Sequence, residues 1–419
     1  MVVFLTGASG FIGEHLGAAL RSAGHRVIAA VHREPAARDA LTVDFARDFE
    51  PAVWRPRLDG VDAVVNTVGI LREHRSATFD ALHVRAPRAL FAAAADVGVR
   101  RVVQFSALGA DDAATSPYHA SKRRADDFLS ALPLSSVIVQ PSLVYGRGGA
   151  SATLFDTLAS LPIVPLPGAG LQRIQPVHID DVVAAVIALL DVESWRVGRV
   201  ALVGPSPMTV REYLATLRQS MGLVPAPFLP VPPRLLNIAA RVGDRLPGQL
   251  LDRPTLAMLE RGNTANPATT RAVLGRDPRP PWHFVAVGER SSVASRAKLN
   301  WLLPLLRLSI ATLWIITGIV SLAAFPVAES YALLARVGIT GTMAPVALGS
   351  AAVIDIALGI ATLVARSRTL WWTQIVVILG YTLLITWRLP EYWLHPYGPV
   401  LKNIPILVLL VLMLQLEER

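Results

Sequence analysis

Tyr118 and Lys122 stand four positions apart in Ser116-Pro-Tyr-His-Ala-Ser-Lys122, and Ser106 closes an apolar run just upstream. On a helix that spacing puts both side chains on one face, so a phenol and an ammonium reach the same substrate atom. An isolated phenol, with a pKa of about 10, is a poor acid–base group at neutral pH. A close lysine cation favours the phenolate and lowers that value. Ser106 can hydrogen-bond the same carbonyl or hydroxyl, and the three groups suit proton transfer matched to hydride transfer at a nicotinamide. Tyr-x-x-x-Lys is also an ordinary surface pair on helices, so its meaning depends on the elements that position it.

Those elements begin at the first residues. Val2 to Leu5 reads as a short buried strand, glycines follow at 7, 10 and 13, and an amphipathic run from Glu14 to Arg21 continues as a helix. This is the strand–turn–helix of a dinucleotide site, with the pyrophosphate on the free N–H groups of the helix start. A second strand, Arg26–Val31, ends in His32-Arg33-Glu34-Pro35. Arg33 favours a ribose 2′-phosphate, hence NADP, whereas Glu34 suits the free 2′-hydroxyl of NAD. Asp44, leaving a third strand (Leu41–Phe45), either accepts from the adenine amino group or caps a helix. Further strands are predicted at Val61–Gly69, Arg101–Phe105 and Val137–Gln140, and helices at Pro87–Val97 and Pro117–Leu132, the last with Ser116 as N-cap and Pro117 at its first position. Their alternation predicts an α/β, doubly wound, Rossmann-type parallel sheet. Gln175–Val182 reads as a strand leading into a helix, Val182–Leu190, and gives His178, Asp180 and Asp181 a structural role. Helices are also expected at Val210–Met221 and Arg234–Asp244, within a proline-rich lobe.

The first 290 residues or so resemble the extended or atypical short-chain dehydrogenase/reductases. The resemblance rests on Thr6-Gly-x-x-Gly-x-x-Gly13, Asp44, Asn66-x-x-Gly69, Ser106, Tyr118-x-x-x-Lys122, Pro141-Ser-Leu-Val-Tyr-Gly146 and His178-Ile-Asp-Asp-Val182. It implies a catalytic triad of Ser106, Tyr118 and Lys122. It also implies a cofactor site lined by Gly7, Ser9, Gly10, Phe11, Ile12, Gly13, Arg33, Asp44, Asn66, Val68, Gly69, Tyr118, Lys122 and Pro141. A similar protein, the nucleotide-binding accessory subunit of complex I, keeps the cofactor site without demonstrated turnover. In the family the C-terminal lobe closes over the nicotinamide.

The chain has no cysteine, which excludes disulfides, thiolate catalysis and Cys-ligated metal sites; no other metal-ligand spacing occurs. Apolar residues make up 53% of it, concentrated after residue 300. Leu308–Phe325, Ala344–Ala365 and Leu370–Trp387 are each long enough to cross a bilayer, and Val400–Leu416 is a shorter fourth run. Trp301, Trp371, Trp372, Trp387, Tyr392 and Trp393 lie near the predicted span ends, where amphipathic rings prefer the interface. The net charge of +9 fits a membrane surface better than nucleic acid, since no basic helix carries interleaved aromatics. Arg290, Arg296, Lys298, Arg307, Arg366, Arg368 and Arg419 fall on one side and Arg336, Arg388 and Lys402 on the other. With no signal peptide ahead of the first strand, this predicts an inner-membrane, multi-pass protein with both termini cytoplasmic. Asp355, inside a span, is a functional candidate with Gln374 or Arg388 as partner, or makes a structural hydrogen bond. With His395-Pro-Tyr-Gly-Pro and Lys402-Asn-Ile-Pro in the last loop and span, residues 301–419 resemble the DoxX-like four-span bundles, some of which accompany quinone-linked oxidoreductases.

The expected organisation is a Rossmann domain (1–200), a substrate lobe and linker (201–295) and a transmembrane domain (296–419). The expected function is a membrane-tethered, NADP(H)-preferring oxidoreductase acting on a small molecule such as a quinone or lipid. The alternatives are a non-catalytic cofactor-binding subunit of a membrane complex, with a membrane protein partner, and an epimerase or dehydratase with tightly bound NAD.

Overall fold

The computed structural model describes residues 1–32, 39–75, 77–191, 198–243 and 253–417, the side chains of 239, 242 and 243 excepted. The chain forms two compact units, Met1–Ala297 and Lys298–Arg419; residues 201–295 fall within the first.

The first unit is built on seven strands, β1 (Val2–Thr6), β2 (Arg26–Val31), β3 (Ala40–Thr42), β4 (Ala63–Asn66), β5 (Arg101–Phe105), β6 (Ser136–Pro141) and β7 (Gly198–Leu202). They lie in the order β3-β2-β1-β4-β5-β6-β7, every pair parallel. Strand order reverses between β1 and β4, and ligands of such sheets bind in the crevice that this reversal opens at the strands' carboxyl ends. Val3, Leu5, Val65, Val103 and Val139 point to one face, against Leu16 and Leu20 of α1 (Phe11–Ser22) and Val182, Val186 and Leu189 of α4 (Ile179–Asp191). Phe4, Val64, Val102 and Ile138 point to the other, against Leu90 and Phe91 of α2 (Ala86–Asp96) and Ala125 and Leu129 of α3 (Pro117–Ser130). Strands covered on both faces explain the continuous apolar runs in place of alternation.

The third predicted strand is shorter than expected: Val43 still pairs with Val31, but Asp44 turns the chain away. Ahead of α2 stands a π-helical turn, Asp80–Arg85, that periodicity did not reveal. The lobe packs around Phe155, Tyr213, Leu214, Leu217 and Phe284. Three two-stranded sheets brace it, pairing Val144–Tyr145 with Val177–His178, Arg173–Ile174 with Met208–Thr209, and Val164–Pro167 with Phe228–Val231.

The second unit is helical. α5 (Arg290–Ile319), which begins in the first unit, continues as a π-helical stretch to Ala324. α6 (Met343–Val364) and α7 (Arg368–Arg388) are likewise long and apolar enough to cross a membrane. α8 (Asn403–Leu416) is apolar but short, and an extra helix, Val327–Arg336, fills the connection after α5. Arg307 Nε donates to Glu417 at 3.0 Å and its Nη1 to the carbonyls of Thr362 and Ala365, so the charged start of one span and the ends of two others share one end of the bundle. Arg336 and Glu391 pair at the other end. Trp371 is buried, donating to Glu417 at 3.1 Å rather than facing an interface. Gly318 and Gly359 let α5 and α6 approach: a Cβ on Gly318 would stand 2.7 Å from the Ala352 carbonyl oxygen, one on Gly359 2.9 Å from that of Ala311.

Neither expected partner of Asp355 reaches it. Gln374 is engaged by Trp314 Nε1 (2.8 Å) and Thr362 Oγ1 (3.0 Å), and Arg388 stacks on Trp387. Asp355 is buried with one carboxylate oxygen lacking a hydrogen-bond partner among the described residues.

Candidate active site

The glycine turn joins β1 to α1 at the sheet's reversal point. Gly7 has φ +72°, open to glycine at no steric cost, and an added Cβ would meet Thr67 Oγ1 at 2.7 Å. At Gly13 a Cβ would stand 2.1 Å from the Gly7 carbonyl oxygen, so only glycine lets the helix start pack on the turn. Gly10 is the N-cap of α1 and supplies no side-chain hydrogen bond, which leaves the first turn's N–H groups for an anion. The residues present therefore fit a dinucleotide. Ser9 and Gly10 are exposed there, with Phe11 and Ile12 half-buried behind them. Phe11 packs under the glycines that follow Tyr145; a Cβ on Gly149 would lie 3.1 Å from its ring.

Asn66 is fully buried and faces its neighbours. Thr6 Oγ1 donates to its carboxamide oxygen (2.6 Å), which also accepts from Val68 N–H (3.2 Å), and its own amide donates to Gln104 Oε1 (2.7 Å). This chain fixes the ends of β1, β4 and β5, so Asn66 shapes the crevice from beneath. Asp44 does not cap a helix: one carboxylate oxygen accepts from Ala46 N–H at 2.9 Å, closing a local turn. Pro141 ends β6 beside the crevice, its carbonyl accepting from Leu108 N–H at 3.1 Å. Arg33 lies outside the described residues.

α3 begins as its sequence demands, Ser116 Oγ accepting from His119 N–H at 3.2 Å with Pro117 at the first position. Its Tyr118/Lys122 face carries a third polar group one turn on, Asp126. Lys122 is 3% exposed, and its ammonium donates to the carbonyls of Val68 and Phe105, both at 3.0 Å, tying the β4 and β5 loop ends together. Gly69 passes so close that a Cβ there would stand 3.1 Å from Lys122 Nζ. Ser106, held at the end of β5 by its N–H to the Val139 carbonyl, donates its hydroxyl proton to the carboxylate of Asp126 in a short hydrogen bond. Asp126 is fully buried, and its second oxygen has no partner among the described residues.

Burial drives the charges of this cluster. It lowers the Lys122 ammonium to about 8 and raises the Asp126 carboxyl to about 7, the latter opposed by the Ser106 hydrogen bond. The Tyr118 phenol departs from expectation: burial, and then the Asp126 charge, raise it to about 12. The lysine cation expected to lower it is turned toward the two carbonyls, and a carboxylate that the motif does not mention shares the face. The Tyr118 hydroxyl makes no hydrogen bond to a described residue. Its ring stands edge-on to His83, centroids 5.6 Å apart. His83 accepts from Ile70 N–H through Nε2 (2.9 Å), which puts the proton on Nδ1, facing Ser121 Oγ (2.9 Å). Ser121 in turn donates to the Tyr118 carbonyl. Burial and the Lys122 charge hold this histidine neutral, at about 2.

Asp126 was legible in principle as the next i+4 position on the Tyr118/Lys122 face; His83 carried no signal, because only the π-turn brings it there. His178, Asp180 and Asp181 play the structural part expected of them, Asp181 holding Arg276 Nη2 and Arg279 N–H at 2.6 Å each. Beside α3 a cavity of about 440 Å³ lies between Thr115, Ser116, Pro117 and His119 and the lobe helix Arg253–Arg261. Its lining combines Pro254, Ala257 and Met258 with Ser116 and His119, whose Nε2 is buried without a partner among the described residues.

Residues 3–204 match the NAD dependent epimerase/dehydratase family, and residues 311–411 the DoxX-like family. Among curated relatives, the ceramide reductase of Caulobacter vibrioides is 32% identical over 45% of this chain and 60% of its own length. The mitochondrial NADH dehydrogenase [ubiquinone] 1 alpha subcomplex subunit 9 of Arabidopsis thaliana is 28% identical over 51% of this chain and 56% of its own. The chain thus spans less than two thirds of either relative. The sterol demethylase protein B of Methylococcus capsulatus is 29% identical over 66% of this chain and 94% of its own length. Among solved structures, a nucleoside-diphosphate-sugar epimerase from Staphylococcus aureus superposes with a TM-score of 0.55 at 19% identity, covering 68% of this chain and 99% of that one. The UDP-glucuronic acid 4-epimerase from Bacillus cereus, with UDP-glucuronic acid and NAD, gives 0.52 at 16%, covering 72% and 100%. These structural likenesses establish the fold.

Proposed function

We propose that this chain, an epimerase/dehydratase-type NAD-binding domain joined to a DoxX-like membrane domain, is a membrane-tethered oxidoreductase that prefers NADP(H) and acts on a membrane-soluble carbonyl or secondary alcohol. The observation that carries the reading is the convergence of Ser106, Lys122 and Asp126, with Tyr118 on the same helix face, at the carboxyl ends of β4 and β5 near the uncapped glycine turn. The N–H groups of the turn and of Phe11 and Ile12 would hold the pyrophosphate, Val68 and Gly69 would border the nicotinamide, and Asp44 and Arg33 would face the adenosine half. When bound, the nicotinamide supplies or accepts the hydride.

This chain's own groups handle the proton. Tyr118 donates it to the nascent alkoxide in reduction and removes it in oxidation. A phenol held near 12 is a strong proton holder before substrate arrives, so removal requires the Lys122 ammonium to turn from the carbonyls toward the phenol oxygen. While Asp126 is ionised the Ser106 proton is committed to it, and the serine oxygen meets substrate as an acceptor. Protonation of Asp126 frees the Ser106 hydroxyl to donate to a substrate carbonyl. The apolar-lined cavity beside α3 would seat part of the substrate. Two relatives whose names concern lipids, a ceramide reductase and a sterol demethylase protein, support that substrate class, and the membrane domain would keep the site at the bilayer. The arginine distribution supports cytoplasmic termini, and the reading assigns the chain to the inner membrane.

A second reading, cofactor binding without turnover in a membrane complex, is favoured by the raised Tyr118 phenol and by the complex I subunit among the relatives. Tyr118→Phe separates the two in the detergent-solubilised full chain given membrane lipid extract. The oxidoreductase reading expects NAD(P)H consumption to fall about 100-fold or more, the range of a lost acid–base group, with cofactor affinity unchanged. Cofactor binding with no consumption by either protein would support the second. Stoichiometric consumption also separates the lead reading from an epimerase, which returns its hydride.

A further inference from the structure

The lobe helix Pro233–Gly243 is set on the first unit by one face and left open on another. Its inner face is Ala240, fully buried, with Leu236 half-buried one turn away. Leu235 and Ile238, three residues apart, are 56% and 57% exposed. Arg234 and Arg241, seven residues apart and both exposed, form a stripe along the margin of that apolar face. Leu229 in the strand just before the helix, 54% exposed, adds to the same segment. No acidic residue occurs between 224 and 243. An apolar stripe edged by arginines, on a helix too short to span, is the pattern of an in-plane interfacial helix: the leucine and isoleucine enter the acyl boundary and the guanidinium groups reach anionic headgroups. The chain's own apolar helices keep a bilayer within reach.

We propose that Pro233–Gly243 docks flat on an anionic bilayer surface, as a membrane contact of the NAD-binding unit separate from the spans. The helix packs against Arg253–Arg261, the wall of the cavity beside α3. Docking therefore leaves the bilayer one helix away from the cavity.

The absence of cysteine makes the test direct. Ile238→Cys, at an exposed position, carries a single fluorophore on the full chain in nanodiscs with brominated acyl chains, with or without phosphatidylglycerol. Ala215→Cys, exposed on the helix Val210–Ser220, is the water-facing reference. In phosphatidylglycerol discs the proposal expects bromine to quench the label at 238 several times more than that at 215. Arg234→Gln and Arg241→Gln should each weaken docking about fivefold. Equal quenching of both labels by aqueous iodide, with no effect of bromine, overturns it. So does protection of the 238 label from both quenchers that persists in detergent, since protein would then cover the face.

Discussion

Asp126 decides how the cluster it forms with Ser106 and Lys122 responds to pH. Its carboxyl is raised to about 7 mainly by burial, so the folded state holds a proton that the unfolded chain, at about 3.9, releases. Its contribution to stability is present below pH 4 and is lost as pH rises through 7. Asp156, raised to about 7 by burial while accepting from the Tyr145 hydroxyl, acts in the same window. Asp126→Asn keeps an acceptor for Ser106 without the charge. Thermal melts of the variant should gain on the parent between pH 5 and pH 8, by about 2–4 °C per kcal/mol released; a gap that does not change with pH contradicts the burial argument. Ser106, Tyr118 and Lys122 were legible because a strand end and a capped helix start fix them locally. The raised phenol was not, because it depends on where the lysine turns and on a carboxylate outside the motif.

At the scale of elements, the glycine turn is where sequence and fold agree most closely, since β1, β2 and β5 follow the apolar runs almost residue for residue. Gly13→Ala tests the reason. With a Cβ 2.1 Å from the Gly7 carbonyl oxygen, the turn must open, costing about 1–3 kcal/mol as overpacking. Titration of the variant with NADPH should show affinity lost well beyond that of a Gly24→Ala control; Gly24 lies after α1, where a Cβ would meet nothing within 4 Å and would bear only the strain of a positive φ of +84°, which Gly13 does not have. Unchanged affinity would remove the turn from the cofactor site. The short β3, the π-turn Asp80–Arg85 and the helix Val327–Arg336 were less legible. Their residues show no clean period, and packing and turn hydrogen bonds outweigh propensity there.

For the whole molecule, the boundary between globular and apolar parts could be read from composition alone, and the bundle bears out the grouping of span ends: Arg307, Ala365 and Glu417 share one end, Arg336 and Glu391 the other. Which end faces the cytoplasm is a prediction. A reporter active only in the cytoplasm should work when fused after residue 419 and fail when inserted between residues 338 and 341; the reverse result would invert the topology. The proposed preference for NADP(H) assigns the 2′-phosphate to Arg33, so Arg33→Ala should lower the preference for NADPH over NADH. The central claim is that this chain moves a hydride between a nicotinamide and a membrane-soluble molecule. The full chain, incubated with membrane lipid extract and 4-deuterated NADPH or NADH, should place deuterium in a lipid-phase product detectable by mass spectrometry, and Tyr118→Phe should abolish the label. Bound cofactor with no deuterium in any product, from either carrier and either face of the ring, would contradict it.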